Sequence, residues 1–301
     1  MSIFTGSGVA VCTPFDAEGK FNGTAYEKLI DFQIREGTDA IVSCGTTGEA
    51  STLSNDEHIE VVRHAVAFTK AANSKYNRKV PVIAGAGGND TANCIRMGRA
   101  LQKAGADALM YVTPYYNKTS QKGLIGHYTA LAAAVDLPIV VYNVPSRTVL
   151  NILPKTLYEI SKLPNIVAIK EASDNIIQIA EIAELCGDAI TIYSGNDNQI
   201  VPILSLGGKG VISTMANIAP AKIHEIVMSY LGGDHETSLR LQLGILPMVR
   251  YLFTDVNPMP VKTALNLMGF DVGKCRMPLT SIDDDLLENL KQEMTRYGLL
   301  G

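Results

Sequence analysis

Eight short apolar runs recur at regular intervals, at residues 9–13, 40–44, 80–84, 108–113, 138–143, 166–170, 190–194 and 210–214. Each has the length of a strand and few polar residues, the pattern of a strand covered on both faces. The segments between them are long enough for a helix. Several carry helical periodicity, such as Tyr26, Leu29, Ile30, Gln33 and Ile34, or Ile59, Val62 and Val66. Strand alternating with helix dictates a parallel sheet. Eight such units fit a closed (β/α)8 barrel better than an open doubly wound sheet, and closure leaves no edge strand to cover.

We therefore expect an α/β chain with a (β/α)8 TIM barrel over residues 1–233, its last helix starting at Pro220 and stopping at Gly232 and Gly233. From Asp234 onward the strand-like runs cease. Residues 235–252, 260–268 and 283–297 read as helices, so 234–301 is expected to form a small C-terminal α-helical domain. Thr280 and Ser281 offer the last of these an N-cap, and Asp283, Asp284 and Asp285 fall in a first turn, where acids suit the helix dipole.

Composition narrows the function classes. With 47% hydrophobic and 19% charged residues, the 301-residue chain can bury a large core and does not read as disordered. A net charge of −4, with no basic stripe interleaved with aromatics, leaves no footprint for nucleic acid. No secretory leader pattern opens the sequence and no run of about eighteen apolar residues occurs, so we expect no membrane segment and a cytoplasmic location. Cys12, Cys44, Cys94, Cys186 and Cys275 are scattered without a CxxC pair, the usage of reduced thiols. No HExxH occurs, and His58 and His64 fall on different faces of a helix, so no metal site is expected.

In such a barrel the chemistry lies at the C-terminal ends of the strands and in the loops after them. Lys170 closes the sixth run, where lysine is rare. Desolvation disfavours the charged form of an amine and so supplies the lone pair that attacks a ketone. Two plainer readings stay open: a snorkelling lysine, or a pair with Glu171. After the second run stands Gly45, Thr46, Thr47, Gly48, Glu49, where glycines open the backbone and hydroxyls could hold a carboxylate, although short Gly/Thr turns are common. Tyr142 and Tyr116 could relay a proton or simply pack. Arg147 offers a planar fork to a carboxylate, or lies free in solvent. Gly195 follows the seventh run and Ile212 lies in the eighth. The stretch Gly85, Ala86, Gly87, Gly88 has Asp90 where a dinucleotide fingerprint needs its third glycine, and no phosphate-binding GxxxxGK[ST] occurs.

The motifs GTTGE at 45–49, YYN at 115–117, YNVPSRT at 142–148, IKEA at 169–172, SGND at 194–197, GVIS at 210–213 and NPMPVK at 257–262 resemble the dihydrodipicolinate synthase family. That family sits within the pyruvate-dependent class I aldolases typified by N-acetylneuraminate lyase, and the likeness spans essentially the whole chain. The resemblance implies that Lys170 forms an imine with pyruvate, that Thr47 and nearby amides hold the pyruvate carboxylate, and that Tyr142 donates and accepts the proton. It implies that Thr46 links Tyr142 to Tyr116, which reaches into a partner's site across a dimer interface, within a homotetramer built as a dimer of dimers. Arg147 would bind the carboxylate of the second substrate, L-aspartate-4-semialdehyde, and Gly195 and Ile212 would present backbone atoms to the intermediate. No metal or organic cofactor is implied. Members inhibited by L-lysine use acidic and polar residues where this chain has Asn55 and Asn93, so inhibition is expected to be weak. The alternatives are a lyase acting on a sialic or sugar keto acid, and a barrel that binds a metabolite without catalysis.

Overall fold

A computed structural model describes residues 2–300. Eight strands close a parallel barrel in chain order: β1 (Gly6–Ala10), β2 (Ala40–Ser43), β3 (Val82–Gly85), β4 (Ala108–Val112), β5 (Ile139–Asn143), β6 (Ile166–Glu171), β7 (Thr191–Ser194) and β8 (Gly210–Ser213). The helices are α1 (Gly23–Arg35), α2 (Asn55–Tyr76), α3 (Thr91–Lys103), α4 (Gln121–Ala132), α5 (Pro145–Thr148), α6 (Pro154–Ser161), α7 (Ile176–Cys186), α8 (Ile200–Ser205) and α9 (Pro220–Leu231), then α10 (His235–Leu252), α11 (Met259–Leu267) and α12 (Asp284–Arg296). None among the described residues is long and apolar enough to cross a membrane.

The first strand lies three residues upstream of the apolar run expected to form it. It starts at Gly6, whose φ of +118° suits only glycine and where a Cβ would overlap the Asp39 carboxyl. The Gly6 amide then donates to Lys209 O, closing the barrel against β8. Glycine and serine open this strand, which is why apolar runs miss it. The buried stripe of α2 is also displaced, running through His58, Val61, Val62, Ala65, Thr69 and Ala72, with Ile59 and Val66 only half-buried. The last helix is capped by Asp283, whose side chain accepts from Leu286 N, and not by Thr280 or Ser281.

Strand alternation divides the apolar residues into two layers. One packs between barrel and helices and includes Val141, Ile169 and Val211. The other fills the barrel and includes Val140, Tyr142, Ala168, Ala172, Tyr193 and Ile212. Phe4 stacks on Tyr193 with centroids 4.3 Å apart and contributes to this inner layer. Lys170 shares the parity of Ala168 and Ala172, so the fold turns its side chain inward.

α11 and the turn after it are fastened to the loop following β2. Lys262 is 2% exposed, forms a 2.8 Å ion pair with Glu49, and donates to Thr13 O and Lys274 O. Arg276 N donates to the other Glu49 oxygen, and the Arg276 guanidinium pairs with Glu57 at 2.7 Å. That guanidinium, together with the Ser54 cap, holds the Glu57 carboxyl down to about 2.

Candidate active site

Lys170 is 5% exposed at the C-terminal end of β6, paired in register with Tyr142 on β5. Its Nζ lies 4.3 Å from the centre of the Tyr142 ring. No ion pair or hydrogen bond engages it among the described residues. The pairing with Glu171 is not formed, because consecutive strand residues face opposite ways. The Glu171 carboxylate instead accepts from Asn143 Nδ2 and Ser173 N on the outer side of the barrel. Burial pushes its pKa up, while those donors and Gln178 hold it down. Snorkelling also fails, since the side chain runs into the barrel mouth and stays buried.

The loop after β2 brings Thr46 and Thr47 to the same end. Cys44 and Glu49 both sit in the left-handed region, with φ of +54° and +53°, a conformation that costs non-glycine residues about 1–3 kcal/mol each. The ion pair to Lys262 and the Arg276 amide hold the second of these corners. Thr47 is 2% exposed; its Oγ1 lies 3.4 Å from Thr214 Oγ1 and accepts from Asn257 Nδ2 at 3.0 Å. Thr46, Tyr142 and Arg147 line a cavity of about 500 Å³ that continues to Asn55, His58 and Asn93.

Arg147 follows Pro145 on the short α5, is exposed, and donates through Nη2 to Asn257 O at 3.3 Å. Tyr116, at φ +66°, is 91% exposed, and no hydrogen bond joins Tyr142, Thr46 and Tyr116 within one chain among the described residues. Gly195 N donates to Glu171 O, which leaves its carbonyl as the group it can present. A Cβ there would meet Ala172 Cβ at 2.7 Å, so the close approach of the two strand ends requires glycine. Ile212 is fully buried in the inner layer beside Gly8 of β1.

Three buried polar residues of this region lie in the motifs SGND and NPMPVK but have no role assigned from the sequence: Asp197, Asn257 and Lys262. Asp197 Oδ2 accepts from Thr214 N and Met215 N, while its Oδ1 is buried without a partner. Burial raises the pKa of this carboxyl; Ser213, the two amides and the Lys170 ammonium oppose that rise. Lys262 carries the same signal as Lys170, an ammonium in an apolar stretch, and could have been found by it.

A closed parallel barrel whose C-terminal mouth holds a buried lysine against a tyrosine ring, with no ion pair to it among the described residues and two threonines on the loop after β2, is the architecture of a lyase of the class I aldolase type. Residues 3–297 match the Dihydrodipicolinate synthetase family, and the chain belongs to it. It is 53% identical over 301 residues to the 4-hydroxy-tetrahydrodipicolinate synthase of Thermoanaerobacter sp. (strain X514), covering 100% of this chain and 99% of that one. The crystal structure of the dihydrodipicolinate synthase from Aquifex aeolicus superposes with a TM-score of 0.94 at 38% identity, covering 98% and 99% of the two chains. The chloride-inhibited dihydrodipicolinate synthase from Acinetobacter baumannii, complexed with pyruvate, superposes at 0.93 with 37% identity, covering 98% and 99%.

Proposed function

We propose that this chain condenses pyruvate with L-aspartate-4-semialdehyde to give 4-hydroxy-tetrahydrodipicolinate, a step of lysine and diaminopimelate biosynthesis, through an imine on Lys170. The observation that carries this reading is the unpaired Lys170 amine, 5% exposed and against the Tyr142 ring. Nζ adds to the pyruvate ketone, and loss of the resulting hydroxyl as water gives an iminium. Removal of a methyl proton gives the enamine, whose carbon attacks the aldehyde, and the new alkoxide takes a proton. The amine of the second substrate then attacks the iminium carbon, closes the ring and releases Lys170. Tyr142 passes the protons of these steps, a role supported by its ring lying 4.3 Å from Lys170 Nζ. Thr47 holds the pyruvate carboxylate, while Gly195 and Ile212 line the intermediate with backbone atoms.

In this reading Thr46 connects Tyr142 to the Tyr116 of a second copy. Support comes from the exposure of Tyr116 and from the relay staying open within one chain. We accordingly take the working form to be a homotetramer of paired dimers in the cytoplasm. The barrel of residues 1–233 carries the chemistry, and the helical domain of 234–301 braces the threonine loop. Pyruvate should turn over with L-aspartate-4-semialdehyde and not with N-acetylmannosamine; turnover with the sugar alone would overturn the choice of substrate.

Arg147 faces the same cavity as Tyr142 and is the reading's clamp for the aldehyde's carboxylate. Arg147→Ala removes charge-assisted hydrogen bonds worth about 1.5–3 kcal/mol, so kcat/KM for the aldehyde should fall about tenfold to a hundredfold. The KM for pyruvate should stay near its original value in the same steady-state measurement.

The cavity's far end holds a neutral amide pair: Asn55 Nδ2 donates to Asn93 Oδ1 at 3.3 Å, and Arg96 donates to the same oxygen at 3.1 Å. No carboxylate stands at either position to receive an α-ammonium. Millimolar L-lysine should therefore leave most of the activity in place; complete inhibition in a lysine titration would refute this.

A further inference from the structure

Asn257 belongs to the segment leading into α11, far from the barrel loops in sequence, yet it touches both residues assigned above to substrate carboxylates. Its Nδ2 donates to Thr47 Oγ1 at 3.0 Å and its main-chain oxygen accepts from Arg147 Nη2 at 3.3 Å. The residue is 6% exposed, and its Oδ1 is buried with no partner. A buried acceptor left unpaired is a cost to folding, so packing alone does not account for an amide at this position.

We propose that Asn257 is a positioning residue that sets the direction of the Thr47 hydroxyl. A hydroxyl has one proton, and the proton turns away from whatever donates to its oxygen. With Asn257 donating, Thr47 acts as a donor and aims its proton across the mouth, where the Thr214 hydroxyl stands at 3.4 Å, a distance too long to compete well. A substrate carboxylate entering there meets a hydroxyl already oriented toward it. The side chain thus serves the pyruvate end, whereas the aldehyde end is served by the main-chain oxygen, which no side-chain substitution removes. α11 keeps the residue in place, because Lys262 one turn into that helix is pinned to Glu49 of the same loop as Thr47.

This inference rests on the pyruvate reading, and the test separates the two. The full-length enzyme and its Asn257→Ala and Asn257→Asp variants are compared by steady-state kinetics in both substrates and by thermal unfolding. Asn257→Ala frees the Thr47 proton to rotate and should raise the KM for pyruvate about tenfold, with the KM for the aldehyde within about twofold of its original value. Asn257→Asp keeps the shape but offers only acceptors and a negative charge, so it should raise the pyruvate KM further. In a Thr47→Val background, Asn257→Ala should add nothing to the pyruvate KM. An unchanged pyruvate KM in Asn257→Ala and Asn257→Asp would overturn the inference, as would an equal rise for both substrates. If the unaltered enzyme turns over no pyruvate, the reading beneath it fails first.

Discussion

Lys170→Met should lower kcat by at least about 10⁴-fold, because the residue supplies the bond through which the whole reaction runs and the remaining groups only bind and orient. The same change should leave the protein as stable as before, or more so. Lys170 is 5% exposed and has no ion pair to lose among the described residues. An unbranched apolar side chain of similar length removes a buried polar group without opening a cavity. Loss of activity with an undiminished melting temperature separates a chemical role from a structural one. Lys170→Arg should be equally inactive, since a guanidinium does not lose its proton at working pH.

Lys262→Met should show the opposite pattern, a loss of stability. Its ion pair with Glu49 is 2% and 1% exposed, and removing one partner leaves a buried charge uncompensated. Such losses run to about 3–5 kcal/mol, against about 0–1 kcal/mol for an exposed pair such as Lys162 with Glu159. Denaturant unfolding would measure it. The double change with Glu49→Gln removes both charges and should recover part of the loss, with the difference from additivity reporting the coupling. Because Glu49 closes the loop that carries Thr46 and Thr47, activity should fall along with stability.

The two lysines show how far this sequence could be read. Each is a lysine in an apolar stretch, and the fold buries both. What separates them is a partner 213 residues away for one and none for the other, which no local pattern records. Strand positions were legible where β-branched residues fill the run, as at β5 and β6, and slipped at β1, where glycine and serine pair in place of apolar side chains. The cap of α12 went to Asp283 instead of Thr280 or Ser281, because an acid run supplies its own cap before it supplies a first turn. Parity along a strand was enough to exclude a Lys170–Glu171 pair once the strand was assigned. Asn257 and Asp197 stand in the quoted motifs NPMPVK and SGND but carried no role there, as their meaning lies in contacts with Thr47, Arg147, Thr214 and Met215 that folding creates.

Borohydride reduction in the presence of pyruvate, followed by peptide mass spectrometry, traps the imine and locates it on the chain. One reduced pyruvyl adduct is expected, on the peptide carrying Lys170, and none in Lys170→Met. An adduct on Lys262 or any other lysine, or no adduct at all, would contradict the assignment of the imine to Lys170.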